Sequence, residues 1–160
     1  MTIQVGDRFP AGTFKTMTAD GPANLGTEEL LAGKTVVLVS VPGAFTPTCH
    51  ARHLPGFVDH IDAIKAKGVD TVAFMAVNDV FVMSAWGKAS HADGKITMLA
   101  DGNGDVTRAL GLELDATGFG MGKRGQRFAL IVKDGVVTHV NVEAGGEFRV
   151  SAADYVLGQL

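Results

Sequence analysis

Two apolar, β-branched runs, Thr35-Val36-Val37-Leu38-Val39-Ser40 and Thr71-Val72-Ala73-Phe74-Met75-Ala76-Val77, constrain this chain more than any other feature. Each has the pattern of a central strand covered on both faces. Between them, across residues 47–67, Leu54, Phe57, Val58, Ile61 and Ile64 recur at i, i+3, i+4 and i+7, one face of a helix. Lys65 and Lys67 suit its last turn, and Gly68 supplies the stop. Strand, helix and strand at this spacing predict a βαβ unit with parallel strands and a right-handed crossover.

The remaining patterns extend that unit. Thr13–Met17 alternates like a short strand, Asp20-Gly21-Pro22 signals a turn, and Thr27–Leu31 reads as a short helix closed by Gly33. Val80–Ser90 predicts a helix, Ile96–Leu99 a strand and Val106–Leu110 another short helix, while residues 118–125 read as a flexible glycine-rich loop. Asp134-Gly135 between Arg127–Lys133 and Val136–Val142 is a two-residue hairpin signal. Ser151-Ala152-Ala153-Asp154 resembles a capping box that opens a terminal helix. This order predicts an α/β, thioredoxin-like fold: a mixed central β-sheet with helices on both faces and an N-terminal extension. At 160 residues the chain can bury roughly 70% of its unfolded surface, as one domain over residues 1–160.

Charge and composition narrow the function classes. A formal charge of −3 argues against nucleic acid or an anionic membrane as the main partner. Met1–Pro10 lacks the pattern of a signal peptide, and no apolar run approaches the ~20 residues of a membrane span. The single cysteine permits no internal disulfide and suits a reducing compartment, so the expected location is cytoplasmic.

That cysteine, Cys49, lies where the first apolar run gives way to the helix, at the carboxyl end of a strand, where open α/β sheets place their sites. Thr46 and Pro47 read as N-cap and first helical residue, so Cys49 falls in the first turn, near unpaired N–H groups and the positive end of the helix dipole. Such a position favours a reactive thiolate; the plain alternative is a buried cysteine acting as a small hydrophobe. His50 points about 100° away around the helix, whereas His53, four residues on, can reach the same face. Cys-x-x-x-His with no second cysteine is not a zinc site, and both histidines read as solvated or core-edge residues, with Arg52 exposed. The absence of Cys-x-x-Cys excludes ordinary dithiol exchange within the chain.

Pro42-x-x-x-Thr46-x-x-Cys49 matches the Pro-x-x-x-Thr/Ser-x-x-Cys signature of peroxiredoxins. The longer run Pro42–Cys49, followed by His53-Leu54-Pro55-Gly56-Phe57, resembles the peroxiredoxin-five or plant type-II subfamily. Val77-Asn78-Asp79, Ala85-Trp86-Gly87, Leu99-Ala100-Asp101 and Arg127-Phe128 carry the resemblance through most of the chain. It implies a thiol peroxidase that reduces hydrogen peroxide and alkyl hydroperoxides with no metal, haem, flavin or selenium cofactor. Cys49 would be the peroxidatic cysteine that becomes sulfenic acid. Thr46 would hydrogen-bond the peroxide, Pro42 would shield the pocket, and Arg127 would stabilise the thiolate and orient the peroxide. The backbone amides of Thr48 and Cys49 would complete the donor set.

Read on its own, Arg127 is equally a surface charge at a strand start. Lys123 and Arg124 are the other candidate cations, both expected to be exposed. Phe45 and Phe119 could line an apolar mouth for organic peroxides, although core packing accounts for either alone. Some subfamily members carry a resolving cysteine near Val150-Ser151; this chain has none. The expected cycle therefore uses an external thiol, with glutathione and glutaredoxin implied by the resemblance and thioredoxin an alternative. The resemblance also implies a homodimer. Two other classes stay open: a peroxide sensor that passes oxidation to a partner by mixed disulfide, and a cysteine hydrolase built on Cys49 and His53.

Overall fold

A computed structural model describes residues Met1–Leu160. The first apolar run forms β3 (Thr35–Ser40), and the second forms β4 (Thr71–Ala76), paired in parallel as the crossover required. β4 in turn pairs in parallel with β5 (Thr97–Ala100), while the hairpin strands β8 (Phe128–Lys133) and β9 (Val136–Val142) add antiparallel to the other side of β3. Strands β1 (Thr13–Thr18) and β2 (Gly21–Gly26) complete a seven-stranded mixed sheet in the order β2-β1-β5-β4-β3-β8-β9. The expected thioredoxin-like architecture is the one observed.

β3 lies inside this sheet, and its side chains alternate between two cores. Val37 and Val39 face one core, with Phe57 and Ile61 of α2 (Leu54–Ala66), Met83 and Trp86 of α3 (Val80–Ala89) and Val156 of α5 (Ala153–Leu157). Val36 and Leu38 face the other, with Leu30 and Leu31 of α1 (Thr27–Leu31) and Val106 and Leu110 of α4 (Asp105–Leu110). Burial on both faces is why Val36–Val39 is continuously apolar instead of alternating.

Four local expectations change. β2 lies in a stretch read only as a turn, because it is an edge strand without apolar alternation, and Pro22 is tolerated there. Residues 118–125 are not simply a flexible loop: a 3-10 turn at Thr117–Phe119 leads to β7 (Lys123–Gly125), which pairs antiparallel with β6 (Glu113–Asp115). The predicted helix 47–67 is interrupted at its start by a π-helical turn, Cys49–His53. The terminal helix begins at Ala153 with no side-chain cap; Ser151 spends its hydroxyl on Glu143 instead.

Phe74 on β4 ties the sheet to α3 and to the helix that Cys49 opens, with its ring centroid 5.3 Å from Phe57, 6.1 Å from Trp86 and 5.4 Å from His53. Truncating this fully buried ring in Phe74→Ala is expected to cost about 3–5 kcal/mol, read as a lower urea midpoint with unchanged slope.

Candidate active site

From the end of β3 the backbone turns sharply to reach the helix. Phe45 takes φ 63°, the left-handed region that side chains with a Cβ seldom occupy, and the Ala44 N–H donates to Asn78 Oδ1 at 2.9 Å. Gly43 leaves room for this turn: a Cβ there would lie 3.1 Å from Thr46 Cγ2 and 3.3 Å from Arg124 Nη1. The Thr46 hydroxyl donates to the Gly43 carbonyl at 2.6 Å, so its side chain braces the loop and does not cap the helix as expected. The N–H groups of Thr48 and Cys49 find no backbone carbonyl within the chain. These are the unpaired donors of a helix start, next to the sulfur. In the π-helical turn that follows, the Leu54 N–H bonds to the Cys49 carbonyl, and Cys49 and His53 both face inward, entirely buried.

Arg127 stands directly before β8. Since Ser40 pairs with Phe128, sheet register alone brings Arg127 beside the exit of β3. Its Nη2 donates to Cys49 Sγ at 3.0 Å, and its Nη1 lies 2.7 Å from His53 Nδ1. An arginine only donates, so Nδ1 must be the accepting nitrogen. The proton of a neutral His53 is then on Nε2, which donates to the Ser151 carbonyl at 2.9 Å. Burial first, and the Arg127 guanidinium second, lower the His53 pKa to about 3, against the opposing pull of the Ser151 carbonyl and Glu143. Neutral histidine is what the arrangement needs, because an imidazolium would leave Arg127 facing another cation.

Ser151 is fixed in its turn by Glu143. One carboxylate oxygen accepts from the Ser151 N–H at 2.9 Å, the Ser151 hydroxyl at 2.6 Å and the Arg149 N–H at 2.7 Å; the other accepts from the Val150 N–H at 3.3 Å. Burial pushes this carboxyl up, but these bonds outweigh it and hold its pKa below the ordinary value. The Glu143 N–H donates to the Arg127 carbonyl at 3.0 Å, closing a circuit through Arg127, His53, Ser151 and Glu143.

Several candidates sit differently from expectation. His53 is neither solvated nor at the core edge. Its spacing of four from Cys49 and its phase with Leu54 and Phe57 were the signal that it shares the buried face. Glu143 and Ser151 had no comparable signal. Arg124 is half-buried, donating to the Val77 carbonyl at 3.2 Å and the Met121 carbonyl at 2.9 Å, whereas Lys123 is exposed and paired with Asp115 at 3.0 Å. Phe45 and Phe119 are not core residues: their exposures are 47% and 86%. The Phe45 ring lies 5.5 Å from that of His50, whose Nδ1 accepts from Trp86 Nε1 at 3.1 Å. Pro42 is half-buried in the loop before Cys49. No group of three or more His, Cys, Asp or Glu side chains converges as a metal site.

A family model described as Redoxin matches residues 4–157. Peroxiredoxin-2B of Arabidopsis thaliana is 48% identical over 159 residues, covering 99% of this chain and 98% of that protein. The chain belongs to the peroxiredoxin family. Among solved structures, reduced Prx3 from Vibrio vulnificus in complex with H2O2 superposes with TM-score 0.96 at 51% identity, covering 99% of each chain. A Burkholderia cenocepacia protein described as a putative thioredoxin reductase superposes with TM-score 0.98 at 44% identity, covering 100% of this chain and 99% of that one. Likeness to the plant type-II proteins agrees with the subfamily resemblance carried by residues 42–57, and this peroxiredoxin is a thiol peroxidase by family.

The buried neutral histidine has a pH signature. Below pH 6.5 an unfolded His53 takes up a proton, whereas the folded one does so only near pH 3, so stability falls as pH falls through that window. Between pH 7 and pH 5 this one group should remove about 2 kcal/mol. His53→Asn, which cannot protonate, is expected to lose about that much less over the same interval in urea denaturation at the two pH values.

Proposed function

We propose that Cys49 is the peroxidatic cysteine of a one-cysteine cycle reducing hydrogen peroxide and alkyl hydroperoxides. The observation that supports this most is the contact of Arg127 Nη2 with Sγ at 3.0 Å. The Cys49 thiolate attacks the terminal peroxide oxygen, the S–O bond forms as the O–O bond breaks, and the sulfur becomes sulfenic acid. The leaving oxygen takes a proton and departs as water or alcohol. Negative charge moves from sulfur to the leaving oxygen, so a preorganised cation and free N–H donors lower the barrier. Arg127 and the amides of Thr48 and Cys49 supply these groups. Thr46, whose hydroxyl lies between the loop and the helix, hydrogen-bonds the peroxide, and Pro42 shields the sulfur from water. Phe45 and Phe119 offer exposed apolar surface for an organic substituent.

The oxidised sulfur needs a thiol from outside, since Cys49 is the only cysteine. Glutathione with glutaredoxin is the proposed reductant system, and thioredoxin is the competitor. Sγ is enclosed in this conformation, so a reducing thiol reaches it only when the first helical turn opens. The working unit we propose is a homodimer.

Cys49→Ser should abolish peroxide consumption with thiol present, and unchanged turnover would end this reading. Arg127→Gln removes the cation but keeps a hydrogen-bond donor. The second-order rate constant for Cys49 oxidation by hydrogen peroxide is expected to fall about 10²-fold, followed by stopped-flow fluorescence of Trp86. An unaltered constant would remove Arg127 from the chemistry.

A further inference from the structure

Two guanidinium groups near Cys49 have no role in the circuit above. Arg52 and Arg149 are both exposed, and neither is ion-paired; the cations paired with carboxylates are Arg108 and Lys123. Together with Phe148, Ala152, Asp154 and Tyr155 they line a groove of about 430 Å³. Arg52 Cζ lies 4.8 Å from the centroid of the Phe148 ring, an arrangement that holds the cation over an aromatic face. That ring also lies 5.9 Å from Arg127 Cζ and 4.9 Å from the His53 ring centroid. Phe148 therefore lies against both the groove and the Arg127–His53 pair beside Sγ. The backbone beneath Arg149 is anchored, because its N–H is bonded to Glu143.

We propose that this groove binds the reducing thiol as a small peptide-like molecule bearing carboxylates. The proposal rests on the reading of Cys49 as a peroxidatic cysteine resolved from outside. Two unpaired guanidinium forks suit two carboxylates, each able to accept a bidentate pair of N–H bonds. Asp154 in the same groove opposes a compact, multiply charged anion such as phosphate and offers an acceptor for an ammonium group. Two cations and one anion together complement an amino-acid-derived thiol with two carboxylates and one ammonium. Tyr155 and Phe148 supply apolar surface for its backbone. Once bound, its thiolate attacks the Cys49 sulfenic sulfur, the S–S bond forms as the S–O bond breaks, and the hydroxide takes a proton and leaves as water. A second molecule of the same thiol attacks the mixed disulfide, releases its own disulfide and returns Cys49 to the thiolate.

The test separates the two half-reactions. Cys49 is oxidised with one equivalent of hydrogen peroxide in wild type, Arg52→Ala, Arg149→Ala and the double variant. Its reduction is then followed with glutathione, with glutathione plus glutaredoxin and, separately, with uncharged 2-mercaptoethanol. In the double variant the rate constant for glutathione should fall about 5- to 20-fold, while those for 2-mercaptoethanol and for the peroxide step stay within twofold of wild type. Arg52→Lys with Arg149→Lys should recover part of the loss. Raising salt should slow the wild type with glutathione and not with 2-mercaptoethanol. Equal losses with both thiols, or no loss with either, would overturn the proposal. So would a loss confined to turnover through glutaredoxin, which would make the groove a protein-docking surface. A wild-type Cys49 that fails to react with peroxide before any thiol is added would overturn the peroxidase reading itself.

Discussion

Arg127 divides one guanidinium between a sulfur and a ring nitrogen, and the arrangement of the site depends on that division. One nitrogen donates to Cys49 Sγ and another to His53 Nδ1. The second bond requires an unprotonated Nδ1. Burial meets that requirement by making the charged form of His53 costly. The protein thus places one positive charge beside the thiol and keeps the nearest titratable neighbour neutral. A charge held in a mostly dry setting acts more strongly than the same charge in water, provided its other donors are satisfied.

Holding the guanidinium there takes groups from three parts of the chain. β3 delivers Cys49, β8 begins immediately after Arg127, and the segment following β9 supplies Glu143 and Ser151. The Glu143 carboxylate gathers the backbone of residues 149–151, which presents the Ser151 carbonyl to His53 Nε2. Glu143 makes no hydrogen bond to the sulfur, yet it sets the position of the carbonyl that sets the histidine. The same segment carries Phe148, whose ring lies beside both Arg52 and Arg127.

The π-helical turn at Cys49–His53 has a related consequence. It places both inward-facing side chains under the helix start, where Cys49 has two free N–H groups nearby and no exposed surface. Enclosure keeps water from the sulfur. It also means that a bulky reagent reaches the sulfur only when the turn moves, and a helix start with few backbone bonds is the part of the helix that opens at least cost.

Residue pattern alone is enough to predict the central sheet and the address of the thiol. Two short, nearly all-apolar and β-branched runs have the pattern of strands buried on both faces, and the helical period between them leaves Cys49 at the carboxyl end of the first. The Asp134-Gly135 hairpin was equally legible, since both residues adopt positive φ, at 47° and 79°. Local patterns did not reveal β2 or β7, short strands at an edge or in a separate ribbon, where little burial is at stake. The neighbourhood of the sulfur, by contrast, follows from how distant segments pack. Arg127 lies 78 residues from Cys49, and Ser151 lies 98 residues from His53. Their meeting depends on strand order and register, which no local periodicity encodes. The role of His53 shows the limit most clearly. Its spacing from Cys49 permits the same face, but its burial, its neutrality and the direction of its two hydrogen bonds follow from Arg127 on one side and a carbonyl on the other.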